Sequence, residues 1–185
     1  MIHAFIEEAI DYTGEQLGSL WALERFGLQG DSIVAFIGRA DVDVPHLVDR
    51  RDALAGRGIC SQKMLHFIVE HFDTDLEKTI CRQRLLVCII REELEQRVRG
   101  VSLIRRGDDL FFGDRKLTVS VATVSPVSSL IHTGVNIVAE GAPVPACGLS
   151  EWDLDARETG KLVAERYAAE VASIRKARCK VRAVQ

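Results

Sequence analysis

The residues able to do chemistry concentrate between Gly107 and Leu149, in GDDLFFGDRKLTVSVATVSPVSSLIHTGVNIVAEGAPVPACGL. Lys116 opens one strand-like run. His132, Gly134 and Asn136 lie in a second, and Cys147 sits in a Pro-Ala-Cys-Gly turn after it. A lysine can place its cation at a developing oxyanion in acyl transfer. A thiol whose pKa is lowered by a neighbouring ammonium is a strong nucleophile. Lys116 and Cys147 are therefore the candidate catalytic pair. Each also has a plainer reading. An edge lysine is commonly solvated, and a lone loop cysteine is commonly incidental.

Side chains alternate across a strand. In RKLTVSVATV this puts Leu117, Val119 and Val121 on a core face, and Lys116, Thr118, Ser120 and Ala122 on the other. In LIHTGVNIV, His132, Gly134 and Asn136 share a face; in KMLHFIVEHF, His66 and Glu70 share one, with His71 opposite as a structural or surface residue. If these strands pair, Lys116, Ser120, His132, Asn136, His66 and Glu70 line one concave surface. Gly134, and Arg39 at the end of SIVAFIGR, complete the ligand-binding candidates. The plainer alternatives are a core histidine at 132 and a cross-face polar pair at 66 and 70.

The elements that must position these groups follow from pattern. A short strand or arm covers residues 2–10. Thr13 opens a helix with Gln16 three positions on, carrying Leu17, Leu20, Trp21 and Phe26 and ending at Gly27 and Gly30. Strands are expected at 32–39 and 63–72, separated by a loop with a helical turn near 47–54. Thr74 and Glu77 form a capping box for a long helix to about Arg99, with apolar Leu76, Ile80, Val87, Ile90, Leu94 and Val98 at helical spacing. A β-rich half follows: strands at 103–105 and 109–112, a Gly113-Asp114 hairpin turn, and strands at 115–124 and 130–139. GAPVPACG is a loop, and a helix runs from about 155 to 178. Helices flanking mostly sequential, hairpin-linked strands predict an α+β fold with a mixed, largely antiparallel sheet, in one domain over 1–185.

Composition narrows the function classes. Of 185 residues, 47% are hydrophobic and 28% charged, enough for a sizeable core in a soluble chain. The net charge of −3 and pI near 6.0 argue against a dedicated DNA-binding surface. The basic run Arg175, Lys176, Arg178, Lys180 and Arg182 reads first as a solvated helix end complementing the dipole, and second as an RNA contact. Five cysteines without a Cys-x-x-Cys pair or metal-ligand spacing predict free thiols, no metal site and a reduced, cytoplasmic setting. Cys81 and Cys88, in the long helix, are expected to be buried and inert. No signal peptide or membrane-spanning run is expected. No phosphate loop or dinucleotide fingerprint is present, so no cofactor is assigned.

The lysine–strand–His–Gly–strand–cysteine order resembles the core of the lipoyl (octanoyl) transferases. Its first half resembles the lysine segment of the lipoate and biotin protein ligases. From GEQLGSLWA through HFIVEHF and RQRLLV to KVR, the chain also resembles a domain-of-unknown-function family, number 366. The most specific segments are GDSIVAF, MLHFIVEHFD, CRQRLLV, KLTVSVATVSPVS and IHTGVNI. That family is similar to the catalytic domains of biotin/lipoate ligases and class II aminoacyl-tRNA synthetases. The resemblance implies their fold, with Lys116 contacting the acyl carbonyl and phosphate of an acyl-adenylate, and Cys147 carrying an acyl thioester. His66 falls where those enzymes carry a histidine after an aromatic residue. The stretch GRGICSQKMLHF holds Gly56, Arg57 and Gly58 but lacks their double-glycine loop. The implied activity is acyl or carboxylate transfer. The alternatives are a non-catalytic module binding a small carboxylate, nucleotide or modified base, and an RNA-linked accessory protein. A small-molecule ligand is the expected partner, and a homodimer fits the fold.

Overall fold

The computed structural model describes residues 1–55, 59–140, 142 and 144–184. Gly56, Arg57 and Gly58 of the loop noted above lie outside the described residues. Eight strands are formed: β1 (Ile2–Ile6), β2 (Ser32–Val42), β3 (Ile59–His71), β4 (Ile104–Arg106), β5 (Asp109–Phe112), β6 (Arg115–Lys116), β7 (Thr118–Val124) and β8 (Ser129–Val138). The α-helices are α1 (Trp21–Phe26), α2 (Arg50–Leu54), α3 (Leu76–Arg97) and α4 (Ala156–Ala177). Five strands form the main sheet in the order β1-β2-β3-β8-β7, and β4-β5-β6 form a small second sheet. Among the described strands of the main sheet, β1–β2 is parallel and β2–β3, β3–β8 and β7–β8 are antiparallel. The α+β, largely antiparallel architecture is as the hairpin-linked order predicts.

One face of the main sheet carries Ile33, Ala35, Leu65, Phe67, Val69, Ile131 and Val135 against α3 and α4. The helices reach it through Leu86, Val87, Ile90 and Leu94 of α3, and Val163, Tyr167 and Val171 of α4. Full burial of such a side chain contributes roughly 1.5–3 kcal/mol, so this layer dominates stability. The α3 stripe sits one turn later than its apolar pattern implies, with Leu76 and Ile80 exposed. Its cap is Asp75, not Thr74; the Asp75 carboxylate accepts the Lys78 N–H at 2.9 Å. Asp155 caps α4 in the same way.

The opposite face is covered by residues 10–28 and 42–47, through Ile10, Tyr12, Ala22, Val42 and Leu47 on Val34, Phe36 and Ile68. The helix expected from Thr13 is instead a 3-10 turn at Glu15–Leu17 and the short α1. Gln16 does accept the Thr13 N–H at 3.0 Å. The chain is broken, however, by extended Gly18 and left-handed Leu20 (φ 67). The Leu20 N–H goes to the Glu70 carboxylate at 2.9 Å rather than into a helix. Gly38 permits the close approach of this cover, since a Cβ there would stand 1.8 Å from the Ile10 carbonyl oxygen.

The strand expected over 115–124 divides at Leu117. β6 joins the small sheet, pairing Phe111 with Lys116, and β7 joins the main sheet. Asn136 N–H to Leu117 O at 2.9 Å and Leu117 N–H to Leu110 O at 2.8 Å hold the joint. Among the described residues, no helix is long and apolar enough to cross a membrane.

Candidate functional site

Sheet register brings His66 of β3 beside Gly134 of β8, and Ile68 beside His132. His66 and His132 therefore project from the same face on adjacent strands. Their rings meet at 3.1 Å between His66 Nδ1 and His132 Nε2. Both are buried, at 0% and 1% exposure. Tyr12 stacks on His132 with ring centroids 3.7 Å apart and 13° between planes. Phe36 stacks on His66 from the other side at 5.1 Å. Gly134, beside His66, leaves space for Met64 and Val119; a Cβ there would meet Met64 Cε at 2.8 Å.

Burial disfavours the charged imidazole. It pushes His66 down to about 4, against the opposing pull of the Gly38 and Arg39 carbonyls and the Asp11 carboxylate. His132 is held well below its ordinary value by burial and then by His66. At neutral pH the pair is neutral and shares a single N–H···N bond. Burial also raises the Tyr12 phenol, so the stack carries no charge.

A cleft of about 150 Å³ opens beside this stack, lined by Tyr12 and His132, by His46 and Asp49, and by Asp108, Asp109 and Lys116. Lys116 Nζ lies 2.8 Å from Asp109 Oδ2, with both side chains partly exposed. Asp108 accepts from Gln83 Nε2 at 3.1 Å, with Arg84 3.7 Å away. The cleft therefore brings together the Lys116 ammonium, three carboxylates and the imidazoles of His46 and His132. A space of this size takes a group about as large as a benzene ring, enough for the reacting end of a ligand.

The backbone at Lys116 is pinned. Its N–H donates to Pro145 O at 2.8 Å, and its carbonyl accepts from Cys147 N–H at 3.0 Å. Asn136 Nδ2 donates to both Lys116 O (3.3 Å) and Cys147 O (3.2 Å). Asn136 is thus a clamp on the strand that presents the lysine, and does not line the cleft.

The structure thus brings Lys116, Ser120 and His132 to one cleft and places the other candidates elsewhere. Ser120 pairs with Thr133 and Val121 with His132, so it is Val119 and Val121 that share the histidine face. Ser120 borders the cleft, but its hydroxyl lies between Gln83 Nε2, Thr133 Oγ1 and His132 O. The face expected for Lys116, Thr118, Ser120 and Ala122 is corrected: the break at Leu117 turns β7 over relative to Lys116. Glu70 shares the His66 face but not its company, since it accepts Leu20 N–H and Ser128 Oγ–H (2.7 Å). His66 stands behind His132. Arg39 is exposed and pairs with Asp41 at 2.6 Å, away from the cleft. His71, opposite, is a buried structural residue between Asp31 (3.1 Å) and Tyr167 (3.0 Å).

Cys147 is 0% exposed and packed in the helix-side core with Leu117 and Leu149. Its Sγ–H points to the Arg115 carbonyl at 3.6 Å, and burial raises its pKa. The geometry expected of it, an activated thiol facing Lys116 in the cleft, is absent; the nearby cation is Arg115. Cysteine exposure is the reverse of expectation, with Cys60, Cys81 and Cys179 exposed, Cys88 intermediate and Cys147 buried.

Sequence reasoning missed Tyr12, His46, Asp49, Asp108 and Asp109. A signal existed for Asp109: hairpin register pairs Phe111 with Lys116, which puts Asp109 on the lysine's face one step diagonally away. Among the described residues, no group of three or more His, Cys, Asp or Glu side chains is placed to hold a metal ion.

Residues 1–182 match the family model described as Domain of unknown function (DUF366). The uncharacterized protein MJ0805 of Methanocaldococcus jannaschii is 39% identical over 179 residues, covering 92% of this chain and 79% of that protein. A solved protein of unknown function from Pyrococcus horikoshi superposes with a TM-score of 0.94 at 38% identity, covering 99% of this chain and 98% of that one. The biotin protein ligase from Aquifex aeolicus, in complex with biotin and ATP, gives 0.62 at 17% identity, covering 95% and 72%. Protein Ta0514 from T. acidophilum, with lipoic acid bound, gives 0.56 at 13%, covering 94% and 86%. At such identities the last two likenesses show a shared fold.

Proposed function

The chain belongs to the DUF366 family, and from that premise we propose that its Lys116 cleft binds the carboxylate or acyl end of a small molecule for acyl or carboxylate transfer without a cysteine thioester. The observation that carries this reading is the meeting of Lys116 and His132 in one cleft, on the fold of proteins solved with biotin and with lipoic acid. Lys116 would exchange Asp109 for a ligand oxygen, and its ammonium would then stabilise negative charge developing on that oxygen. The neutral His132, held by His66, supplies a donor or acceptor beside it. Cys147, buried with a raised pKa, takes no part.

The test is calorimetry and thermal shift with octanoate, lipoate and biotin, with and without ATP, together with mass spectrometry of the products. A ligand should raise the melting point by mass action and yield an activated or transferred acyl product. Lys116→Ala should lose both effects. If Lys116→Ala binds and turns over like the parent, the reading fails.

A second reading, binding of a small carboxylate, nucleotide or modified base without turnover, is favoured by the burial of Cys147 in the helix-side core. It predicts saturable affinity and no product.

A further inference from the structure

A second cavity, independent of the Lys116 cleft, lies between α3 and α4. It measures about 570 Å³, within the range of ordinary small-molecule sites. Two helical stripes of identical spacing build it: Lys78, Cys81, Arg82 and Leu85 from α3, and Val171, Ile174, Arg175 and Arg178 from the end of α4. Positions i, i+3, i+4 and i+7 lie on one helix face, so each helix turns a single stripe toward the groove. The helices run antiparallel, since Arg97 at the end of α3 bonds Thr159 at the start of α4. Leu85, Val171 and Ile174 supply the apolar wall, and four cations with Asp73 and Cys81 supply the rest.

The cations are partly compensated and firmly placed. Asp73 holds Lys78 at 2.9 Å and Arg82 at 2.8 Å. Arg175 pairs with Asp31, whose carboxylate also takes the Phe72 N–H at 3.0 Å and His71 Nδ1 at 3.1 Å. His71 is in turn fixed by Tyr167. Burial alone would raise the Asp31 pKa, but His71, Phe72 and Arg175 outweigh it and hold the carboxyl well below the usual range. Four cations (Lys78, Arg82, Arg175, Arg178) against two carboxylates (Asp31, Asp73) leave an excess of two positive charges beside an apolar wall.

We propose that this groove binds a soluble phosphomonoester with an apolar body. A phosphomonoester carries a charge of about −1.5 to −2 at pH 7, which matches the excess. Guanidinium forks suit its oxygens better than a point cation would, and three of the four cations are arginines. The hydrocarbon portion covers Leu85, Val171 and the half-exposed Ile174. The class of ligand is thereby set by charge and amphipathy together; inorganic phosphate or an alcohol alone satisfies half of the groove.

Cys81 lines the groove and is exposed, while Cys60 is exposed on β3 away from it. The test is the rate of iodoacetamide alkylation at both thiols, read by mass spectrometry on the intact protein with hexyl phosphate as the probe. Hexyl phosphate at ten times its dissociation constant should slow Cys81 labelling by about tenfold and leave Cys60 unchanged. Hexanol and inorganic phosphate at equal concentration should leave both rates unchanged. Arg178→Glu, at an exposed helix end, and Ile174→Glu should each abolish the protection without loss of fold. No protection by hexyl phosphate, equal protection of Cys60, or protection that hexanol reproduces would overturn the proposal. Stronger protection by a single-stranded RNA oligonucleotide, with a steep salt dependence, would also overturn it.

Discussion

Lys116 Nζ and Asp109 Oδ2 stand 2.8 Å apart in the cleft that His132 also lines. Both side chains are partly exposed, so solvent screens the pair and its worth to stability is about 1 kcal/mol or less. Its worth to binding is larger, because a ligand oxygen competes with Asp109 for the ammonium. Lys116→Met is therefore expected to shift the denaturation midpoint little while weakening carboxylate binding by about tenfold or more. Asp109→Asn should do the opposite and tighten it. Calorimetry with octanoate reads both; equal affinity in the two variants would refute the exchange.

The His66–His132 pair ties stability to pH. An unfolded histidine has a pKa near 6.5, whereas burial lowers His66 to about 4 and depresses His132 and His71 as well. Between those values the unfolded chain binds more protons than the native one, so stability is intact above about pH 6.5 and falls as pH drops toward 4. His66 alone contributes on the order of 3 kcal/mol across that window. Urea denaturation at pH 7, 6, 5 and 4 should show the slope, and His66→Gln should flatten it. An unchanged slope in the variant would place the titration elsewhere.

Cys147 sits where a thiol reagent has no route to it. N-ethylmaleimide on the native protein should label Cys60, Cys81 and Cys179 and spare Cys147 until denaturant is added. Cys147→Ala should cost about 1 kcal/mol as a small core truncation and leave ligand binding unchanged. Labelling of native Cys147 at the rate of Cys81 would contradict the burial.

The sequence made the sheet legible and the site only half so. Period-two alternation places His66 and His132 on faces that the register then unites, and Lys116 follows from the hairpin at Gly113-Asp114. Ser120 borders the cleft with its hydroxyl engaged by Gln83 and Thr133, because the strand changes sheets at Leu117 and Val119 and Val121 take the histidine face. Cys147 misled for a similar reason. Its Gly- and Pro-rich surroundings read as an exposed loop, but a bridge between Lys116 and Ala146 folds that loop back as a short partner of β6. Tyr12 carried no local signal, because only long-range packing on His132 gives it a role.

Glu70 and Leu20 hold the cover over the histidine pair. Glu70 is 3% exposed and satisfies both the Leu20 N–H and the Ser128 hydroxyl. Truncation to alanine leaves two donors without their acceptor, at a cost of roughly 1–3 kcal/mol. Leu20 itself pays a backbone penalty, being one of two non-glycine residues at positive φ among those described. Leu20→Gly relieves that strain of roughly 1 kcal/mol, but gives back part of it through the greater entropy of the unfolded chain. Glu70→Ala is therefore expected to lower the melting point by several degrees and to speed amide exchange in residues 14–28, and Leu20→Gly to change it by far less. If Glu70→Ala leaves exchange in that segment unaltered, the cover is held by its apolar contacts alone.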